Sequence, residues 1–301
     1  MQTLDELARD FSPAGTVWER RAGGLPFLVV NTARCSARLT PYGAHVCEWT
    51  PAGQRVSALF LSPHARFAEG TAIRGGVPIC FPWFAAHPSD PSKPAHGFAR
   101  TRMWQVADVA VDEVGQIHVA FRLDADAATR ALWGAAFSAS LTVSLGLTLT
   151  ITLDVHNTGV TDITYESALH TYLAVADVTR IEILGLEHTR FIDKVDGARP
   201  KVSGDEPLMP AGDTDRVFLD TGATCMVADP SGGRTLRVQK HGSLVTVVWN
   251  PGRDKGRGVT DIGDAWRGFV CVEAASCGPH AIRLAPGARH AIATRIDVAP
   301  S

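Results

Sequence analysis

Residues 141–156 read LTVSLGLTLTITLDVH. Leu141, Val143, Leu145, Leu147, Leu149, Ile151, Leu153 and Val155 are apolar, and Thr, Ser, Gly and Asp fill the positions between them. Successive side chains of an extended chain point to opposite faces, so this strict period of two predicts strand, with one face buried and one wet. Asn157-Thr158-Gly159 then supplies turn chemistry.

Outward from this run, further β-rich stretches lie at residues 27–30, 117–123, 181–184, 244–249 and 269–272. Helical spacing is nearly confined to the N-terminus, where Leu4, Leu7, Ala8 and Phe11 predict one short helix ending before Pro13. A second short helix or turn fits residues 126–132. Such a succession of strands and turns predicts an all-β fold, a large and mostly antiparallel β-sandwich. No linker, repeat or low-complexity run interrupts it, so residues 1–301 read as a single domain.

The 301 residues are 45% hydrophobic and 20% charged, ample for a sizeable core. The net charge is −2, with both signs well mixed, which argues against nucleic acid or an anionic membrane as partner. The opening MQTLDELARDFSPAG lacks the apolar run of a signal peptide. No stretch approaches the ~18 consecutive apolar residues of a membrane span. Cys35, Cys47, Cys80, Cys225, Cys271 and Cys277 form no CxxC and are expected as reduced thiols in or near the core of a cytoplasmic protein.

One segment breaks the β pattern. Residues 73–104, IRGGVPICFPWFAAHPSDPSKPAHGFARTRMW, hold five prolines, three glycines, five aromatic rings, three arginines and two histidines. Proline and ring packing stiffen a chain without ladder hydrogen bonds. Arg74, His96 and Arg100 are thereby fixed, and a planar guanidinium pairs well with phosphate or carboxylate. In ITYESALHTYLAV, alternation places Glu166, Ala168, His170 and Tyr172 on one face. A histidine there suits either a hydrogen-bonded core position or a functional imidazole. In GFVCVEAAS, Phe269, Cys271 and Glu273 share a face. Glu273 is either a strand-end residue reaching solvent or a carboxylate held in an apolar wall, its pKa open to tuning.

Nucleotide and serine-hydrolase chemistry lack an anchor, because GxGxxG, GxxxxGK[ST] and GxSxG are all absent. His87, His96, His156, His170 and His188 make no HxH or HxxxH pair, so no metal site is expected.

IRGGVPICFPWF, PAHGFARTRMW, ALHTYLAV, GLEHTRFIDK, TDRVFLD, VVWNPG and FVCVEAA follow one another in this order. The succession, from about residue 27 to about residue 292, resembles the hexose-6-phosphate mutarotases, or glucose-6-phosphate 1-epimerases, a branch of the aldose 1-epimerase superfamily. The resemblance implies a galactose mutarotase-like sandwich and interconversion of the anomers of a hexose 6-phosphate, without cofactor or metal, by a monomer. It implies His170 as general acid and Glu273 as general base. It implies substrate contacts from Arg74, His96, Arg100 and Asp215, with Arg74 and Arg100 reading the phosphate or the hydroxyls beside it. Ala95 stands where some members carry glutamine. Gly252-Arg253-Asp254-Lys255 replaces an aromatic and lysine-containing run, which leaves a phosphate role for Arg253 or Lys255 open.

Three other readings compete. A mutarotase of free aldoses usually carries asparagine before the catalytic histidine, where this chain has Leu169, and NL after the aromatic pair, where it has Tyr172-Leu173. A non-catalytic sugar-binding sandwich would need no acid–base pair. A cupin-like enzyme would need a metal.

Overall fold

The computed structural model describes residues 2–21, 23–210 and 212–300. Two eight-stranded antiparallel sheets dominate it. The first runs, in spatial order, Glu182–Leu184, Cys225–Asp229, Arg234–His241, Arg289–Pro300, Leu149–Asn157, Phe137–Leu145, Ile117–Asp124 and Gln105–Val111. The second runs Arg199–Val202, Arg190–Asp193, Thr214–Phe218, Val245–Asn250, Phe269–Ser276, Ser167–Leu169 and Ile79–Cys80, with Tyr172–Ala174 also pairing Phe269–Ser276. A four-stranded sheet, Thr16–Arg20 through His45–Pro51, and a two-stranded ribbon, Ile163–Tyr165 with Ile282–Leu284, complete the strands among the described residues. The expected antiparallel sandwich is the observed fold.

The period-two run is a hairpin rather than one strand. Phe137–Leu145 pairs with Leu149–Asn157, and Leu145 faces Leu149 across a loop of residues 146–148. A three-residue loop makes odd positions partner odd positions, so the alternation passes through the turn unbroken. Gly146 was its one visible mark. Leu141, Val143, Ile151 and Leu153 all enter the main core, whereas Leu147, at the tip, is 52% exposed.

The two short helices form at the expected places. Leu4–Asp10 is opened by a capping box of Thr3 and Glu6, and Ala127–Trp133 by one of Asp126 and Thr129. A third helix, Gly252–Gly258, was not legible: GRDKGRG has no apolar stripe and three glycines.

Neighbouring residues of the second sheet serve different purposes. Val248, Val270 and Val272 join the main core with Leu141 and Ile151 of the first sheet. Val247 and Glu273 point the other way and line a cleft. The sheet thus packs one face on its partner and presents the other to the stiff segment of residues 73–104.

Candidate functional site

That cleft holds about 330 Å³. It brings together Arg74, His96, Arg100, His170, Asp215 and Glu273, gathered from segments far apart in the chain. Lys194, Trp249, Phe84, Val247, Ala85 and Ala95 complete its walls.

Glu273 lies on Phe269–Ser276, with Val247 opposite it on the neighbouring strand. His170 falls in a break between Ser167–Leu169 and Tyr172–Ala174, so the alternation expected through residue 172 does not run unbroken. Its N–H donates to the Pro78 carbonyl at 3.0 Å, outside any strand ladder. Its ring stacks on Tyr172, centroids 4.8 Å apart, and meets Trp249 edge-on at 5.9 Å. His170 Nε2 and Glu273 Oε1 approach to 3.4 Å, within ion-pairing reach but misaligned for a hydrogen bond. Both Glu273 oxygens and His170 Nδ1 are buried with no hydrogen-bond partner among the described residues.

Burial dominates the electrostatics. It pushes the Glu273 carboxyl well above the usual carboxylate range, and Asp215 adds to the effect. It holds the His170 imidazole well below the usual histidine range, with the positive Arg100 and Arg74 side chains acting in the same direction. Burial thus favours the neutral form of each group, with the proton they share on the carboxyl rather than the imidazole. The ion pair, with the proton on the imidazole, has the same proton count.

The rim is built on glycine. Gly75 (φ +107°) would place a Cβ 2.4 Å from the Phe60 carbonyl oxygen, and Gly97 (φ +73°) would place one 2.0 Å from that of Phe81. Only glycine fits such close backbone approach. These contacts fix Arg74 and His96 beside them. Arg74 Nη1 donates to the Tyr172 hydroxyl at 2.9 Å, and its Nε lies 3.1 Å from Asp261 Oδ1. Arg100 Nη2 donates to the Ala95 carbonyl at 2.8 Å. His96 Nδ1 accepts from the Ala85 N–H at 3.2 Å and lies 3.4 Å from Cys80 Sγ. The ring's own proton is therefore on Nε2, and burial lowers its pKa to about 3, keeping it neutral. Asp215 sits on Thr214–Phe218 with its carboxyl raised by burial.

Two of these features were not read from the residues alone. Lys194 ends the quoted GLEHTRFIDK, where the run of strand residues hides that it turns back over the Phe84 ring, 5.1 Å from the centroid. Neither Lys194 nor Arg100 has a carboxylate within salt-bridge distance among the described residues, whereas Arg74 does. Cys271 stands behind the floor: a ligand atom from each of His170, Cys271 and Glu273 falls within 4.8 Å of the others. A search for paired histidines misses such a group. Arg253 and Lys255 line a neighbouring surface groove, and Lys255 lies 3.6 Å from Asp213.

Comparison with known proteins agrees with this architecture. The aldose 1-epimerase family model matches residues 27–297. A Salmonella typhimurium protein named "Putative glucose-6-phosphate 1-epimerase" is 36% identical over 255 residues, 84% of each chain. A Cenchrus ciliaris protein of the same name is 32% identical over 275 residues, covering 88% of this chain and 82% of that one. The crystal structure of a Salmonella typhimurium protein described as "a putative mutarotase (YeaD)" superposes with a TM-score of 0.90 at 32% identity, over 97% of this chain and 96% of the other. A galactose mutarotase-like protein of Clostridium acetobutylicum shares the fold at 14% identity, with a TM-score of 0.71 over 97% of this chain and all of its own. The chain belongs to the aldose 1-epimerase family and is an isomerase.

Proposed function

We propose that this protein interconverts the α and β anomers of a hexose 6-phosphate, with glucose 6-phosphate as the expected sugar. The observation that carries this is the His170–Glu273 pair on the floor of a sugar-sized cleft whose wall carries Arg100 and Lys194, neither with a carboxylate partner among the described residues. The name borne by the Salmonella and Cenchrus relatives supports the same substrate.

Anomerisation opens and recloses the ring. Sugar hydroxyls bound in the cleft supply the hydrogen bonds that the floor groups lack, and the shared proton moves from Glu273 to His170. Imidazolium then protonates the ring oxygen O5 while the Glu273 carboxylate takes the proton of the C1 hydroxyl, and the C1–O5 bond breaks. The open-chain aldehyde turns about C1–C2. Both transfers reverse, and the other anomer forms. The pair returns to its starting state with no net proton taken up or released. Each positioned transfer is worth ~10²–10⁴-fold. Burial favours the neutral pair that follows the transfers, which draws the step toward the open chain.

His96 offers Nε2–H to a sugar oxygen, and Asp215 accepts from a hydroxyl. Arg100 and Lys194 hold the phosphate, and Arg74, tied to Tyr172 and Asp261, serves the hydroxyls beside it. We place the protein in the cytoplasm as a monomer with no nucleic-acid or membrane partner. Six buried, unpaired cysteines suit a reducing compartment, and no helix of the described residues is long and apolar enough to cross a membrane.

Anomer-resolved NMR exchange on glucose, galactose and glucose 6-phosphate tests the reading. Faster exchange of the phosphosugar supports it, and equal kcat/KM for glucose and glucose 6-phosphate rejects the substrate assignment.

A further inference from the structure

Behind the acid–base pair lies a set of donors that the proton chemistry does not use. Cys271 and Glu273 stand two residues apart on one strand, so their side chains leave the same face, and His170 meets them from the adjoining segment. One ligand atom of each falls within 4.8 Å of the others, and the His170 and Glu273 atoms are already 3.4 Å apart. A tetrahedral zinc site has bonds of about 2.0 Å to nitrogen or oxygen and about 2.3 Å to sulfur, which puts its ligand atoms roughly 3.5 Å apart. Closing the set therefore takes a shift of about 1.3 Å or less between ligand atoms. His170 is 7% exposed, Cys271 0% and Glu273 1%, and the Glu273 oxygens have no partner among the described residues. Unpaired, buried carboxylate oxygens beside an imidazole and a thiol are what a borderline-soft divalent cation coordinates.

We propose that His170, Cys271 and Glu273 form an inhibitory binding site for a zinc-class divalent cation. Three protein ligands hold the ion, and the fourth position opens on the cleft. Coordination takes the lone pairs of the imidazole and carboxylate, displaces the thiol and carboxyl protons to solvent, and leaves no acid–base pair to open a ring. Sugar and ion compete for the same floor. Ion binding rests on the donor set alone. The inhibition rests on the anomerase reading above.

The test uses the full chain, reduced and freed of metal with a chelator, and titrates it with Co²⁺ and with Zn²⁺. Wild type is expected to take up one Co²⁺ with a thiolate-to-cobalt charge-transfer band, and Zn²⁺ is expected to displace it. Cys271→Ser, nearly isosteric, is expected to lose the band and to bind Zn²⁺ at least tenfold more weakly. Cys225→Ser, at a thiol remote from the cleft, is expected to keep both. In the exchange assay Zn²⁺ is expected to raise the apparent KM for glucose 6-phosphate in wild type, with a shift at least tenfold smaller in Cys271→Ser. A band that persists in Cys271→Ser, or acceleration of exchange by Zn²⁺, overturns the proposal. Should the protein anomerise no sugar at all, the cobalt spectrum still decides whether the ion site exists.

Discussion

His170 Nε2 and Glu273 Oε1 stand 3.4 Å apart on the floor of the cleft, yet neither carboxylate oxygen has a hydrogen-bond partner among the described residues. A carboxyl so poorly compensated is costly to ionise in a folded chain, so it holds its proton ready for transfer. His170→Asn and Glu273→Gln are each expected to lower kcat for anomer exchange by ~10²–10⁴-fold while the circular dichroism stays native. Near-normal exchange in either folded variant removes the role given to that residue.

The same pair sets a pH profile. Activity needs one proton shared between the two groups. The acid limb adds a second proton, to an imidazole whose pKa burial has lowered. The alkaline limb removes the last proton, from a carboxyl whose pKa burial has raised. The plateau of kcat/KM, which reports the free enzyme, should therefore extend beyond the interval between ordinary Glu and His values, about 4.3 to 6.5. Free glucose is the substrate to use, since a sugar phosphate titrates near pH 6 itself. A bell confined to that interval would contradict the electrostatic account.

Glu273→Gln should also stabilise the fold. A carboxyl whose folded pKa is raised holds its proton in the native state while the unfolded chain releases it, so stability is lost as pH rises above the unfolded value. An amide carries no such charge. Chemical denaturation is expected to show a gain at pH 7 that shrinks toward pH 4, where the unfolded carboxyl also keeps its proton. A clear loss of stability would mean that the carboxylate is satisfied in solution.

His45 gives the opposite slope. It is fully buried, Nε2 donates to the Gly75 carbonyl at 2.8 Å, and burial lowers its pKa to about 4. Below pH 6.5 the unfolded chain takes up a proton that the folded one refuses, so this part of the stability is whole above pH 6.5 and drains away towards pH 4. At ~1.4 kcal/mol per unit the effect reaches about 3 kcal/mol. Urea midpoints at pH 7 and pH 5 for wild type and His45→Gln check it: the variant should be less stable at pH 7 and less sensitive to the change.

Arg100→Ala and Lys194→Ala should each reduce kcat/KM for glucose 6-phosphate by ~10–150-fold, the equivalent of a charge-assisted bond of ~1.5–3 kcal/mol. Exchange of glucose should stay within about twofold. A parallel loss on both sugars would place these cations on the ring instead of the phosphate.

Much of the architecture could be read in advance because it obeys local rules. Alternation exposed the strands, Leu4, Leu7, Ala8 and Phe11 announced the first helix, and a proline-rich, arginine-bearing segment pointed to a rim. What stayed hidden depends on distance or parity. Lys194 reaches the cleft only because Lys194–Asp196 turns the chain back on itself. His170 sits in a strand break that alternation cannot show. The Cys271 contribution needs a partner about a hundred residues away in sequence, and no spacing rule links the two.

The odd-membered loop at residues 146–148 carries a lesson for anyone re-engineering this scaffold. Lengthening it by two positions leaves every side chain of the hairpin aimed as before. A slip of one residue in the Leu145–Leu149 register would turn one arm inside out, sending Leu149, Ile151, Leu153 and Val155 into water and their hydroxyl-bearing neighbours into oil. Reporter tags and spectroscopic labels belong at Leu147, provided the graft leaves the closing pair of Leu145 and Leu149 in register.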